Sequence, residues 1–561
     1  MDVVRTSVRE YGLSGLIRDV RPWDVPVDAF TNAIDVRIED FSITTFSDVE
    51  AVLGAFVDDA TGLIPILPVY ARSFWISAGS AIIMVMDNGE VRSYYEIDGV
   101  ASGAVFKQLI GGSYALQLPA AGVDTTAEFY SAQSGGFYIL TSLTNLPQLL
   151  LSTDIQTPGS MIDLPGWPTT YKCGIIESYK NMLVAAQIDI SGIDQPNLIK
   201  WSHPFSQGDT QFFWDPLDPT LLAGETPIQS DGEGVAAIQP LRDSMMIYFD
   251  RSMWRMDFVG GQFVMNFRKV FSDDGALGKH AVENFEGKAL VVGLRDIYTH
   301  DGVQKQSLSD KKITRWFYRG FSKGYPVRIA YYPERNEVWI LFRQKPSGEA
   351  DTVLVYNVLH DAFTVADLAG NKTSTGDGVT IGIFLGPLLR TGLLTYDSLS
   401  AGEPVPDGPD YNAYDTISYN AVFSTPKDTV FYGLSNDVGA LTLLDSVGGG
   451  DILRENILIE HLRLDLHKWL DVTGDKIVYI SRMFLHFSGK GRVQIRIGTA
   501  NNTQEGITWG SWTQFKFDTD HAIDLRAAGR YLAYQIKPYV GETPEFALSG
   551  FDLEWAVVGE Q

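Results

Sequence analysis

A chain of 561 residues is longer than one ordinary core can organise, so two to four domains are expected. Hydrophobic residues at 45% and aromatics at 12% supply globular cores and exclude disorder on compositional grounds, while 54 Gly and 25 Pro suit a turn-rich β protein. A formal net charge of −25 argues against a sequence-independent nucleic-acid binder, which needs Lys and Arg for phosphates. It is compatible with a solubilising surface, or with a wall along which DNA slides without sticking. The single cysteine, Cys173, excludes an intrachain disulfide and reads as a small core residue within YKCGIIESY. The opening MDVVRTSVREYGLSG lacks a basic stretch followed by an apolar one, and no run nears the roughly 18 apolar residues of a membrane span. A soluble protein made in a cytosol is expected.

Residues 1–62 read as an extended arm with the first strands. Pro22 and Pro26 disfavour helix there, and residues 32–46 alternate with Val36, Ile38, Phe41 and Ile43 as candidate buried positions. Such an arm cannot bury its own apolar residues. It needs its own propeller or another subunit, and should order mainly on assembly.

From 63 to 447 short apolar runs recur, centred on Val85, Ile139, Val184, Ile247, Val292, Ile340, Leu394 and Tyr432, at intervals of 38 to 63 residues. Polar hairpins interrupt them, such as Asp87–Glu90, Phe249–Met256 and His300–Gln304. Four-stranded propeller blades occupy roughly 40 to 50 residues each, so the expectation is a β-propeller of about seven or eight blades. Two stacked β-sandwiches are the rival arrangement. Insertions near 192–232 and 398–428 are long enough to carry contacts, and lumen or gate contacts are expected of them. After a Gly448–Gly450 junction, residues 457–561 alternate cleanly through about seven strand candidates. They predict a separate antiparallel β-sandwich-like domain, making the whole chain all-β.

Chemistry is sparse. No phosphate-cradling loop, HExxH, GxSxG, CxxC or sialidase-type Asp-box occurs. His461 and His467 are spaced poorly for a metal, and structural or solvent-facing roles are expected. Asp273-Asp274-Gly275 and Asp518-Thr519-Asp520 are the densest acidic clusters, and both read as turns rather than catalytic dyads. Arg315-Trp316-Phe317-Tyr318-Arg319 is the nearest approach to a basic aromatic stacking surface, and a strand or amphipathic contact accounts for it. No catalytic, cofactor-binding or metal residue is assigned, and no enzyme activity is expected.

The letters of several stretches form a pattern. GLIRDVRPWDVPVDAFTNAIDVRIED, with Asn32, Val36 and Arg37, resembles the start of tail nozzle proteins of short-tailed bacteriophages (podoviruses). PNLIKWSHP, FFWDPLDPTLLAGE, VGGQFVMNFRKVFSDDGALG and DIYTHDG follow in the family's order. ITWGSWTQF, GRYLAYQIKP and LSGFDLEW are similar to its terminal β-region. Glu39-Asp40-Phe41-Ser42 departs from the family, which leaves the first hairpin's turn open. The resemblance implies a structural virion protein, a homo-oligomeric ring of six below the portal and head–tail adaptor. Such a ring extends the DNA channel, retains the packaged double-stranded DNA, guides its ejection without sequence-specific binding, and anchors tail fibres or spikes. It implies assembly in the host cytoplasm, location in the virion tail, and a distal end that meets the host envelope. The alternative is a glycan-binding or glycan-degrading tail protein on a propeller scaffold.

Overall fold

The computed structural model describes residues 3–46, 48–53, 67–76, 79–87, 90–101, 104–115, 128–134, 136–151, 159–206, 209, 211–230, 232–260, 264–322, 326–344, 351–368, 380–387, 429–435, 441–446, 456–473 and 476–560. The expected insertion at 398–428, the Gly448–Gly450 junction and the apolar run at Leu394 lie outside these residues. Asn88 and Gly89 of the first expected hairpin do as well.

The chain is predominantly β, arranged as many small antiparallel sheets. Among the described residues seven of them follow one another, each opening with a strand at its edge: Pro68–Ile76, Tyr130–Ser134, Tyr171–Tyr179, Val235–Leu241, Val282–Phe285, Arg328–Tyr332 and Thr380–Pro387. The second strands are Gly79–Met86, Phe137–Ser142, Met182–Ile190, Ser244–Phe249, Lys288–Val292, Glu337–Arg343 and Thr429–Ser435. Every apolar run located by sequence, Leu394 apart, centres on one of these second strands. The reason is burial: a strand with neighbours on both edges and packing on both faces has no polar side, so Ser244–Phe249 is buried at every residue. First strands pack against one another in order from the first sheet to the seventh, and the seventh packs back on the first.

Tight turns set the registers. Lys180 and Asn181 join Tyr171–Tyr179 to Met182–Ile190, and Glu286 and Gly287 join Val282–Phe285 to Lys288–Val292. All four have positive φ, the signature of a two-residue turn whose twist matches its strands. At Gly275 a Cβ would lie 1.8 Å from the Phe249 carbonyl oxygen. The Asp273-Asp274-Gly275 stretch therefore has a backbone reason for its glycine.

The N-terminal segment does not run as an extended arm; its strands are paired within the chain. Val4–Arg9 lies antiparallel to Glu545–Glu560. Asn32–Ile34 sits between Ala362–Asp367, the last strand of the sixth sheet, and Leu458–Asp465. The hairpin Val36–Glu39 and Ser42–Thr45 adds to Glu545–Glu560. Asp48–Leu53 supplies the fourth strand of the seventh sheet, beside Leu441–Ser446. The unpaired strand edges and buried apolar faces that call for a neighbour thus find one at the far end of the same chain. Val36, Ile38 and Ile43 are buried as expected, but Phe41 is 56% exposed. Asp40 and Phe41 form the hairpin's two-residue turn, both at positive φ, which lifts Phe41 out of the alternation.

Residues 457–560 with these N-terminal strands form two antiparallel sheets facing one core, which includes Tyr11, Phe30, Leu485, Ile495, Tyr534 and Phe551. One sheet is shared. A ten-stranded sheet runs from Arg328–Tyr332 through the sixth sheet and Asn32–Ile34 into Leu458–Asp465, Tyr531–Pro538 and Arg492–Ala500. At this junction Arg37 and Glu337, each with 2% of its side chain exposed, make an ion pair of 3.1 Å. Trp339 Nε1 donates to the same carboxylate at 3.0 Å, and the Arg37 guanidinium lies 4.7 Å from the Phe46 ring centre.

Candidate functional site

The first strands converge on a polar chamber. Tyr70 and Arg72 come from the first sheet, Tyr130 from the second and Gln239 from the fourth. Glu283 with Lys279 and His280 just before it comes from the fifth, Arg328 from the sixth, and Phe384 from the seventh. Glu177 of the third sheet joins through Tyr130, whose hydroxyl donates to its Oε1 at 2.5 Å. Alternation explains the cluster: a first strand turns one side chain in two toward its six counterparts, and at Arg72, Glu283 and Arg328 that side chain carries charge.

The charges nearly balance. Lys279 Nζ donates to the Glu128 carbonyl oxygen at 2.5 Å and stands 3.8 Å from the Glu128 carboxylate. His280 Nε2 meets the Phe129 carbonyl oxygen at 3.0 Å, and its ring stacks on Tyr130 with centroids 5.5 Å apart. Tyr70 and Ser131 share a hydroxyl hydrogen bond of 2.9 Å. The Arg328 Nε is buried without a hydrogen-bond partner.

Burial governs protonation here. It would lower the pKa of Arg72, but Tyr70, Glu283, Tyr130 and Glu177 outweigh it and hold the guanidinium firmly charged. Burial pushes Glu283 up to about 7, against the opposing pull of Arg72, and also raises Glu177. It lowers Lys279 to about 8, and holds His280 well below its ordinary value, helped by Arg328 and Lys279. Arg72, Glu283 and Arg328, which line the chamber, and Glu177 behind Tyr130 are each only partly covered.

Two raised carboxylates beside a fixed cation could in principle serve acid–base chemistry. Volume decides against it: the chamber holds about 40 Å³, room for a little water, whereas ligand sites run to roughly 300–1,000 Å³. As built, charge and hydrogen bonds tie Tyr130 to Glu177 across the second and third sheets and Lys279 and His280 to Glu128 and Phe129.

The residues considered from sequence go elsewhere. Cys173 is buried and its thiol is pushed up to about 12 by burial, so it is inert. His461 is buried, held down to about 4 by burial, and meets the Pro26 carbonyl oxygen at 3.2 Å. His467 takes a separate partner, the Lys476 carbonyl oxygen at 2.6 Å. Among the described residues no group of His, Cys, Asp and Glu could hold a metal. Asp274 pairs with Lys305, and Asp520 accepts from the Lys516 amide at 2.8 Å within a turn. Arg315–Arg319 lie on a helix, Thr314–Gly320, and not on a strand. None of the described helices is long and apolar enough to cross a membrane.

The expected insertion at 192–232 is partly strand, since Ile193–Gln195, Leu198–Trp201 and Gly224–Pro227 belong to the third sheet. The loop between the last two folds inward through Phe212 and Trp214, the latter edge-on to Trp167 at 4.6 Å, and exposes Leu217 at its tip. Sequence reasoning missed Arg72, Glu177 and Glu283. Their one signal is a charge set among apolar residues of a strand, as Glu177 follows Ile175 and Ile176 in YKCGIIESY.

No protein-family model matches the chain, and no curated protein matches it in sequence. Among solved structures it is similar to the C-terminal WD40 domain of Sif2, at 9% identity and a TM-score of 0.31, covering 70% of this chain and 97% of that one. It is also similar to an exo-β-1,3-galactanase from Phanerochaete chrysosporium, solved with β-1,3-galactotriose, at 7% identity and a TM-score of 0.25. That alignment covers 90% of this chain and 100% of the other. Both likenesses are too slight to carry anything from those proteins to this chain.

Proposed function

We propose that this chain is a structural subunit of a phage tail nozzle: a closed seven-bladed β-propeller locked to a β-sandwich, non-enzymatic, and assembled as a ring. The observation that carries the reading is the ten-stranded sheet spanning both bodies, sealed by the buried Arg37–Glu337 pair. A subunit that must hold a pressurised genome gains from a junction with no hinge, and shared backbone hydrogen bonds supply one. Asn32, Val36 and Arg37, which carry part of the sequence resemblance, sit at that junction: Asn32 accepts from Arg18, Val36 is buried and Arg37 is paired.

The central chamber of one subunit is filled, so DNA would pass along the axis of the ring and not through a propeller. Six copies would carry 6 × −25 = −150 formal charges, and such a wall holds duplex DNA weakly. The insertion at 192–232, expected to supply lumen or gate contacts, would offer its exposed tip around Leu217 for them.

Co-expression with portal and head–tail adaptor proteins, followed by cryo-EM, tests the reading. The expected result is a coaxial ring of six on the adaptor. A chain that stays monomeric beside an assembled adaptor would overturn it, and specific binding or turnover on a glycan array would favour the glycan-directed alternative.

A further inference from the structure

A second cavity, of about 700 Å³, opens where the N-terminal segment crosses the helix Thr314–Gly320. Its charged walls are Arg18, Arg315 and Arg319 against Asp19 and Glu460, with Trp316 between them. Most of these groups are already committed. Asp19 accepts from the backbone amides of Arg315 and Trp316, at 2.5 and 3.0 Å. Glu460 accepts from Gln535. Arg18 donates to the Thr31 carbonyl oxygen at 3.2 Å and to Asn32, and its guanidinium lies 4.6 Å from the Trp316 ring centre.

Two groups are left over. Arg315 and Arg319 are exposed, and neither guanidinium has an ion-pair partner among the described residues. Four positions apart, they share one helix face about 6 Å apart along the axis. In an extended peptide, alternate side chains fall on one face about 6.6–6.8 Å apart. Guanidinium forks match carboxylates in bidentate geometry.

We propose that this groove binds an extended acidic segment of another polypeptide, with carboxylates at alternate positions, one on Arg315 and one on Arg319. Charge complementarity commits the site to that occupant: two free guanidinia neutralise two carboxylates. A nucleic-acid strand brings one charge per about 3.4 Å, about twice the linear density that two guanidinia about 6 Å apart can match.

The test uses the full chain and a fluorescein-labelled hexapeptide with alternating aspartates, read by fluorescence anisotropy at low salt. Binding is expected to weaken at least tenfold in Arg315→Ala and in Arg319→Ala, and to weaken as salt rises, with Arg482→Ala as an unaffected surface control. An unchanged urea midpoint shows that the variants remain folded. The proposal is overturned if the peptide fails to bind, if the asparagine version binds equally, if the two alanine variants bind as the parent does, or if an oligo-dT of equal charge binds more tightly.

Discussion

Two of the places where charge is buried among the described residues are built in opposite ways. At the junction Arg37 and Glu337 form one buried pair, with an aromatic ring and an indole donor beside it. In the chamber Arg72, Arg328, Lys279 and Glu283 line a small water-sized space, with Glu177 and Glu128 reached through Tyr130 and Lys279. An open cluster shares its charges and answers to pH. The lesson is that buried ions of the same residue types make a rivet in one setting and a titratable plug in another.

The sharpest way to break the comparison is Glu337→Ala. Stranding the Arg37 charge should cost about 3–5 kcal/mol, read as a lower urea midpoint, and joint replacement by Arg37→Met and Glu337→Leu should cost much less. If the single and double variants lose equally, the junction is not a closed pair.

The chamber should yield a smaller, pH-dependent effect. Glu283 titrates near 7 in the fold and at an ordinary 4.5 when unfolded. Between those values the folded chain keeps a proton that the unfolded chain has lost. Stability should therefore fall as pH rises through the window, by at most about 3 kcal/mol, and then level off. Lys279, lowered to about 8 from 10.5, acts oppositely: the fold loses its proton first, so stability should rise between those values. A melting curve series from pH 4 to 10 should show a shallow minimum between the two groups, and Glu283→Gln should flatten its acid side. A profile unchanged by that substitution would show that the chamber does not titrate as a cluster.

The smallest effect belongs to a site with no buried charge at all. Phe41→Gly should leave Tm nearly unchanged or raise it slightly. It relieves a positive φ at the hairpin turn while losing the Phe41–His360 ring contact at 5.5 Å. A large loss of Tm would mean that this tip is packed more tightly than its exposure indicates.

Much of the architecture was legible because the most buried strands announce themselves. Val85, Ile139, Val184, Ile247, Val292, Ile340 and Tyr432 mark second strands, where continuous apolar residues leave a readable period. Pairing between distant segments was not legible. Nothing in residues 32–34 says that their partners are residues 365 and 458–460, because backbone hydrogen bonds carry no letters. The chamber was hidden for a related reason. Arg72, Glu177 and Glu283 lie far apart in sequence, each a single charge that sequence alone cannot tell from a surface residue. Arg315 and Arg319 were visible as a basic aromatic run, but their helix and its four-residue spacing came only with the fold.

The pairing of Val4–Arg9 with Glu545–Glu560 also sets a schedule. At about 5–20 residues per second, synthesis leaves the first strand without its partner for roughly half a minute to two minutes. Through that interval the amino-terminal strands wait with unsatisfied edges while the sheets between them form. The pairing of Val4–Arg9 with Glu545–Glu560 is then a late event in folding. Truncation near residue 545 would leave Val4–Arg9, Ser42–Thr45 and one edge of Lys476–Lys490 without partners, so nascent chains of this protein should depend on holdase chaperones until Glu545–Glu560 emerges.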